Sequence, residues 1–287
     1  MAAGRYFGRA GASQAAGRND VGFHSGRPVR ARLDLNADLG EGFGSWRLGD
    51  DAALLDIVTS ANVACGFHAG DPDIMVETVA AARARGVAVG AHPGFSDLRG
   101  FGRLRIHESP QRIERDIAYQ IGALQACAAL AGGRVTHVKA HGALANLSNE
   151  DATVAEALAR AVAGVDPRLA LVVMPGLAAE RAGARAGLTL VREIYADRAY
   201  AVDGTLAPRG SPGAVIHDAG EAAARIVRMV GEGAVFTLGG RRLPVAIDTV
   251  CVHGDNPEAI AMARAVRSEL ERAGVRLRSF ADALAEP

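Results

Sequence analysis

Short apolar runs alternate with Ala-rich stretches from residue 31 to near the end of the chain. The apolar runs have the length and composition of β-strands, and the stretches between them have the composition of helices. The predicted strands cover residues 32–39, 57–65, 86–92, 134–141, 169–176, 188–197, 245–255 and, more weakly, 275–280. The predicted helices cover residues 73–85, 110–131, 151–164, 177–186, 218–230 and 257–273. Strands that alternate with helices in this way predict a parallel sheet with helices outside it.

Proline and glycine mark several helix ends. The pairs at 71–72, 109–110 and 256–257 each place a capping Asp, Ser or Asn before a proline at the first helical position. Gly86 and Gly274 follow predicted helices, where a left-handed C-terminal cap is expected. These signals support the helix boundaries drawn from the apolar pattern.

The sheet is predicted to close into a barrel. No G-x-G-x-x-G follows the first strand, and polar residues end nearly every strand instead of one crevice. This distribution favours a (β/α) barrel of seven to eight parallel strands, whose site collects residues from many strand ends. Residues 234–247 depart from the pattern, because two glycines at 239–240 lie between β-like arms and predict a hairpin. We expect one barrel domain over residues 31–287.

Three predicted strands carry polar residues at every second position. The three sets are Asp34, Asn36 and Asp38; His137, Lys139 and His141; and Cys251, His253 and Asp255. Residues two apart in a strand share one face, and a barrel strand normally fills its inward face with apolar side chains. Because burial of unpaired polar groups is costly, these rows predict a wet, polar mouth at the carboxyl ends of the strands.

Most strand ends combine an ionisable residue with glycine. The combinations are Asp38 and Glu41 beside Gly40, His68 and Asp71 beside Gly70, His92 beside Gly94, His141 beside Gly142, and His253 and Asp255 beside Gly254. Glycine lets the backbone approach a ligand and present N–H groups to it. The joint placement of these residues indicates an active site.

Other residues of chemical interest have structural interpretations. Asp34 is interpreted as a hydrogen-bonded structural carboxylate, His137 as a core residue, and Cys65 as a packed, inert thiol. Arg103 or Arg105 could bind an anionic ligand or lie in a solvated turn, and the sequence does not choose between these alternatives.

The requirement for a divalent metal stays open. If a metal binds, its ligands are expected among Asp38, His68, His92 and His253. No local HxxxH or HExxH pair is present. Lys139 would place a cation in the same mouth, and this suits stabilisation of an oxyanion without a metal.

Composition narrows the class of protein. Lysine plus arginine and aspartate plus glutamate are both 32, which argues against nucleic-acid or acidic-membrane binding driven by charge. No run of 18 apolar residues predicts a membrane span. Three widely spaced cysteines form no disulfide framework, which suits a reducing cytoplasm. Residues 1–30 hold five arginines and one aspartate without apolar periodicity, so we predict a disordered basic tail.

Six motifs, in this order, resemble the LamB/YcsF family. They are DLNADLGEGFG (34–44), SANVACGFHAGDP (60–72), GAHPGFSD (90–97), VKAHGALAN (138–146), ADRAY (196–200) and CVHGDNP (251–257). The resemblance covers about residues 32–280 and implies a barrel of the glycoside hydrolase/deacetylase-like type. It also implies a hydrolase of cyclic amides that opens 5-oxoproline to L-glutamate with ATP and with partner subunits B and C. The partners are expected to handle ATP, and no G-x-x-x-x-G-K-[ST] is present in this chain.

Two positions depart from the family pattern. Ala140 and Ala145 stand where the family usually has proline and tyrosine, in KPHGALYN. The proline would stiffen the backbone beside Lys139, and the tyrosine would offer a ring or hydroxyl to the substrate. Lys139 and His141 remain in this motif. We therefore expect the two alanines to affect the range of substrates and not the type of reaction.

A mechanistic hypothesis assigns roles to the strand-end residues. The predicted catalytic residues are Asp38, His92, Lys139 and His141, and the predicted substrate-binding residues are Glu41, Asn62, His68, Arg198, His253 and Asp255. Asp38 or His92 would take a proton from water, and Lys139 would hold the developing oxyanion. Two alternatives remain: a metal-dependent amidohydrolase or deacetylase that acts alone, and a non-catalytic component that carries a lactam to its partners.

Overall fold

A computed structural model describes residues 32–253 and 257–285, and the predicted tail at 1–30 lies outside them. The strands are β1 (Arg32–Leu39), β2 (Ser60–Ala64), β3 (Ala88–His92), β4 (Val135–Lys139), β5 (Ala170–Val173), β6 (Leu190–Tyr195), β7 (Ala234–Phe236), β8 (Arg242–Pro244), β9 (Thr249–Val252) and β10 (Arg276–Leu277). The helices are α1 (Asp51–Leu55), α2 (Pro72–Ala84), α3 (Pro110–Leu130), α4 (Gly142–Glu150), α5 (Ala152–Val165), α6 (Ala178–Arg185), α7 (Ala219–Glu232), α8 (Pro257–Arg272) and α9 (Phe280–Ala285).

Seven parallel strands close into a barrel. The order is β1-β2-β3-β4-β5-β6-β9, and β9 pairs back to β1. Strand β10 extends the sheet beside the first two residues of β1. The predicted (β/α) barrel is therefore confirmed, with β9 as its closing strand.

The helices pack on the outside of the barrel. In β1, the residues Leu33, Leu35, Ala37 and Leu39 alternate with the polar row and join the main hydrophobic core. Buried apolar residues of α2, α3, α5 and α7 belong to the same core. The period of two in β1 thus separates an apolar face toward the helices from a polar face inside the barrel.

The local signals in the sequence were mostly accurate. Asp71 accepts a hydrogen bond from the Ile74 N–H at 3.0 Å, and Ser109 caps α3 in the same way. Gly86 and Gly274 have φ values of +69° and +83°, as left-handed caps require. The hairpin is confirmed as the antiparallel pair β7–β8. The cap predicted at residue 256 lies outside the described residues.

Three short helices were not predicted. Helices α1 and α9 span only five and six residues, which is too short for a clear apolar period. Helix α4 contains glycine, serine and asparagine, which have low helix propensity. It begins at Gly142, shortly after β4 ends at Lys139, in a segment for which no helix was predicted. Residues 275–280 form only a two-residue strand, because Phe280 begins α9 and its ring packs against His137 at 4.9 Å.

None of the helices within the described ranges is long and apolar enough to cross a membrane. Cys65, Cys127 and Cys251 are all free thiols.

Candidate active site at the barrel mouth

The lower part of the barrel interior is polar and buried. The Asp34 carboxylate accepts hydrogen bonds from the hydroxyls of Ser60 at 2.6 Å, Thr59 at 2.7 Å and Thr249. Asp34 is 1% exposed, and burial raises its pKa to about 6. The polar row of β1 therefore does not depend on a wet mouth at this depth, because hydroxyls of neighbouring strands satisfy it.

A second layer of side-chain amides lies above this carboxylate. The Asn36 amide donates to the Thr249 hydroxyl at 2.7 Å, and the Asn62 amide donates to the Asn36 carbonyl oxygen at 2.7 Å. His137 contacts the Asn62 oxygen at 3.0 Å. Its ring fills the space over Gly90, where an added Cβ would lie 2.1 Å from the ring. This layer joins β1, β2, β4 and β9 across the barrel.

Asn62 is fully buried and also donates to Asp38 at 3.0 Å. Its described contacts are with protein groups, so the structure gives it a direct part in positioning Asp38. Its predicted contact with substrate stays a prediction.

Lys139 is the buried cation of the site. Its ammonium Nζ lies 2.9 Å from Asp38 Oδ1 and 2.9 Å from Glu193 Oε1, and it donates to Cys251 Sγ at 3.1 Å. Burial alone would lower the pKa of Lys139, but Asp38, Cys251 and Glu193 together raise it well above its usual range. The ammonium is therefore charged, and these protein contacts engage its donors.

Asp38 is held in its ionised form. Burial alone would raise its pKa, but His92 and Lys139 hold the pKa of this carboxyl well below its usual range. Its second oxygen, Oδ2, lies 3.2 Å from His92 Nε2. One oxygen thus faces the cation, and the other faces an imidazole at the base of the cavity.

His253 forms a charged pair with Asp197 at the ends of the neighbouring strands β9 and β6. Its Nδ1 lies 2.9 Å from Asp197 Oδ2, and the imidazole is half-buried. Burial opposes the charge on His253, but Asp197 raises its pKa well above the usual range. The same contact lowers the pKa of Asp197 to about 2 against the effect of burial. Ligand atoms of Asp38 and His253 lie within 4.8 Å of each other.

Three histidines and a glutamate converge at the ends of β1 to β4. The rings of His68 and His141 stack with centroids 3.7 Å apart, and Phe101 meets both edge-on. Glu41 Oε1 lies 3.5 Å from His68 Nε2 and 3.5 Å from His141 Nδ1. His141 Nδ1 lies 2.9 Å from His92 Nε2. Burial holds the pKa values of His68 and His141 well below the usual range, so both rings are neutral.

A cavity of about 720 Å³ opens above these groups. Its lining includes Asp38, Glu41, His92, Lys139, His141, Arg198 and His253. This volume lies within the range of small-molecule sites. Arg198 is largely buried and donates to the Ala207 carbonyl at 2.7 Å, while its Nε has no hydrogen bond to any described residue. Asp255 lies outside the described residues, and its predicted role stays a prediction.

Two acidic residues of the site were missed in the sequence. Glu193 pairs with Lys139, and Asp197 pairs with His253. The signal was present, because Glu193, Tyr195 and Asp197 repeat the period of two seen in the other polar rows. The apolar neighbours in this strand concealed it.

Arg103 and Arg105 both line the cavity. The Arg103 guanidinium lies over the Phe101 ring, and Arg105 forms an exposed ion pair with Glu150 at 2.6 Å. Cys65 is buried, and burial raises its pKa to about 12, as an inert packed thiol requires.

Comparison with known proteins gives matches over nearly the whole described chain. The model of the LamB/YcsF family matches residues 33–285. A protein of Rhodopseudomonas palustris strain BisB5, named as the A subunit of 5-oxoprolinase, is 55% identical over 251 residues, which cover 87% of this chain and 99% of that protein. A Gluconobacter oxydans strain 621H protein of the same name is 56% identical over 248 residues, covering 86% and 98%. The crystal structure of a lactam utilization protein from Thermus thermophilus superposes with a TM-score of 0.82 at 49% identity, covering 87% and 100%.

Proposed function

This chain belongs to the LamB/YcsF family, and from that membership and the site geometry we propose that it hydrolyses the lactam bond of 5-oxoproline to give L-glutamate. The name shared by its relatives, the A subunit of 5-oxoprolinase, supports the reaction and a role as one component of a larger enzyme. The observation that carries the chemistry is an ionised carboxylate and a charged imidazole at one cavity, with ligand atoms within 4.8 Å of each other.

The proposed reaction needs activation of the lactam before water attacks. Amide resonance makes the ring carbonyl a poor electrophile and the ring nitrogen a poor leaving group. ATP would phosphorylate the carbonyl oxygen and remove that resonance, and we assign this step to partner subunits B and C. This chain then has to deliver water to the activated carbon and protonate the nitrogen as the C–N bond breaks, which gives γ-glutamyl phosphate. A second water then displaces inorganic phosphate and leaves L-glutamate.

The Asp38–His92 pair is the proposed proton acceptor. Asp38 Oδ2 and His92 Nε2 lie 3.2 Å apart at the base of the cavity, so a proton taken from water is shared between them. Lys139 keeps Asp38 ionised through the contact to Oδ1 and leaves Oδ2 to act. Because protein groups engage the Lys139 ammonium, we assign it this supporting role in addition to the charge it lends to a nearby oxyanion.

His253 is the proposed proton donor. Its imidazolium is stabilised by Asp197 and faces the cavity. Protonation of the ring nitrogen as the C–N bond breaks prevents expulsion of an amide anion. Arg198, whose Nε has no hydrogen bond to a described residue, is the proposed anchor for the substrate carboxylate or the phosphoryl group.

Reconstitution tests the function directly. Subunits B and C, 5-oxoproline and ATP are incubated with and without this protein, and glutamate is measured. We expect glutamate only when all three proteins are present. ATP consumption without glutamate in the complete mixture would contradict the proposed hydrolysis.

The proton donor is tested through Asp197→Asn in the same assay. Loss of the carboxylate returns the pKa of His253 toward about 6.5, so the alkaline limb of the pH–rate profile should move to lower pH. Asp166→Asn is the matched control, because Asp166 forms an ion pair with Arg168 at the surface. An alkaline limb unchanged in Asp197→Asn would remove His253 from the mechanism.

A further inference from the structure

The cluster of Glu41, His68, His92 and His141 has a hydrogen-bond pattern that the proposed reaction does not explain. His92 Nδ1 lies 2.8 Å from the Lys139 carbonyl oxygen, and His141 Nε2 lies 2.9 Å from the Phe101 carbonyl oxygen. A carbonyl oxygen only accepts, so both of these nitrogens carry the hydrogen. In the neutral form of each ring, the lone pair therefore lies on the other nitrogen, which is His92 Nε2 in one ring and His141 Nδ1 in the other.

These two lone pairs point at each other. His92 Nε2 and His141 Nδ1 are 2.9 Å apart, and Glu41 Oε1 lies 3.5 Å from His141 Nδ1. Acceptors at such distances need positive charge between them. A proton on His92 Nε2 would face both His141 Nδ1 and Asp38 Oδ2, which lies 3.2 Å away, and it would still leave Glu41 Oε1 and His68 without a partner.

His68 supplies the second observation. Its side chain is fully buried, and neither ring nitrogen makes a hydrogen bond within the described part of the chain. Among the same residues, Glu41 Oε1 is also buried without a hydrogen bond. A buried polar group normally finds a partner, because an unsatisfied one costs about 1–3 kcal/mol. His68 Nε2 and Glu41 Oε1 lie 3.5 Å apart. One nitrogen or oxygen atom from each of Glu41, His68, His92 and His141 lies within 4.8 Å of the others.

The backbone packs closely against the rings of His68 and His141. A Cβ on Gly94 would lie 2.7 Å from His68 Nδ1, and a Cβ on Gly102 would lie 2.8 Å from both His68 and His141. Two glycines therefore allow the backbone to press against the histidine rings. Ligands that are oriented by backbone carbonyls and tight packing are characteristic of metal centres.

We propose that Glu41, His68, His92 and His141 bind one divalent transition-metal ion of the Zn²⁺ class. The ligand atoms are Glu41 Oε1, His68 Nε2, His92 Nε2 and His141 Nδ1, which all lie within 4.8 Å of one another. Bonds of about 2.0–2.1 Å would separate neighbouring ligand atoms by roughly 2.9–3.4 Å. The observed separations are 2.9 Å for one pair and 3.5 Å for two pairs, which lie at the lower end of this range and just above it. The His68 and His141 rings are stacked, so one of them would turn when both nitrogens face the same ion. Imidazole with a carboxylate suits such ions.

The set differs from the ligands expected from sequence. His68 and His92 are retained, whereas Glu41 and His141 replace Asp38 and His253. Asp38 and His253 form a second candidate group with Cys251. The members of that group already have charged protein partners. Lys139 contacts Asp38 and Cys251, and Asp197 contacts His253. An ion there would be repelled by the Lys139 ammonium.

The ion would have a part in the reaction as well. A divalent ion lowers the pKa of a water bound to it, and Asp38 would then be the proton acceptor while His92 holds the ion. This consequence rests on the proposed function. Binding of the ion does not, because it is measured without substrate or partner subunits.

Titration with Co²⁺ tests the site. The full chain without an affinity tag is stripped with a chelator, and the visible d–d absorption of Co²⁺ is recorded. We expect saturation at about one ion per chain with the intensity of low-coordinate cobalt, and displacement by Zn²⁺. Absence of saturable binding would overturn the proposal.

Variants locate the ion. His68→Ala and Glu41→Gln should each weaken binding by about 100-fold or more. Glu41→Gln keeps the shape of the side chain, so it remains informative if His68→Ala fails to fold. His107→Ala is the control, because His107 is an exposed histidine outside the cluster. Unchanged affinity in both ligand variants would overturn the assignment, as would a thiolate-to-cobalt band, which would place the ion at Cys251. Glutamate formation is scored separately, so failure of one proposal is distinguishable from failure of the other.

Discussion

Two aspartates on the same face of strand β1 have pKa values that are shifted in opposite directions. Asp34 lies among the hydroxyls of Thr59, Ser60 and Thr249, and its pKa is raised to about 6. Asp38 lies four residues further toward the mouth, and its pKa is held well below the usual range. Both carboxyls are removed from water, so burial alone does not explain the difference.

The charge of the neighbouring side chains determines the direction in which the pKa of each aspartate is shifted. Hydroxyls stabilise a carboxylate only partly, and they can also accept from a protonated carboxyl. Lys139 and His92 favour the charged form of Asp38 strongly enough to exceed the cost of burial. One strand thereby carries a carboxyl with a raised pKa below and an ionised carboxylate at the cavity above. Substitutions at the two aspartates and at one of the hydroxyls test this division.

Asp38→Asn and Asp34→Asn form a matched pair for the rate of glutamate formation. Asp38→Asn should reduce the rate by about 10²–10⁴-fold, because the proton acceptor is lost. Asp34→Asn should leave the rate close to that of the wild type, because the hydroxyls that Asp34 contacts are structural groups. Equal losses in the two variants would remove the functional distinction between the aspartates.

Asp34→Asn should change the pH dependence of stability. The folded pKa of about 6 exceeds the unfolded value of about 3.9, so the native state binds the proton more tightly. Stability from this group is complete below about pH 4 and is lost as pH rises through 6, by about 3 kcal/mol in total. The free energy of unfolding, measured by urea denaturation from pH 4 to 7, should therefore fall less steeply in the variant.

Asp51 also has a pKa raised to about 6, so part of the wild-type slope will remain in Asp34→Asn. The informative quantity is the difference between the two proteins at each pH. A difference that does not vary with pH would show that the pKa of Asp34 is the same in the folded and the unfolded state.

Thr249→Val should have the smallest effect of the three. It removes one donor to Asp34 and leaves the Asn36 amide without its acceptor, at a cost of about 1–2 kcal/mol. It should also raise the pKa of Asp34 further, since this hydroxyl lowers it. Carboxyl ¹³C NMR titration measures the shift. Thr78→Val, a buried hydroxyl on α2, is the control, and an equal shift there would contradict the local explanation.

The barrel and its polar mouth could be predicted from the sequence because they follow from short-range patterns. The period of two in β1 placed Asp34, Asn36 and Asp38 on one face, and the proline-marked caps fixed the starts of α2 and α3. The structure agrees with each of these features.

Side-chain contacts between different strands could not be predicted from these short-range patterns. The Lys139–Glu193 and His253–Asp197 contacts join residues that are distant in the chain, and only the closed barrel brings them together. The orientation of His92 and His141 depends on backbone carbonyls at residues 139 and 101, which no residue identity reveals. Helix α4 was missed for a related reason, since packing against α5 and α6 outweighs its low propensity.

The closing contact between β1 and β9 also determines when the site can assemble during synthesis. Asp34 receives its hydrogen bond from Thr249, 215 residues later in the chain. A nascent chain therefore exposes the polar face of β1 to water until β9 has left the ribosome, and the most non-local pairing of the barrel is completed last. Only the closed barrel brings Asp38 beside Cys251 and His253, so this carboxylate acquires its complete surroundings only after residues 249–253 have been synthesised.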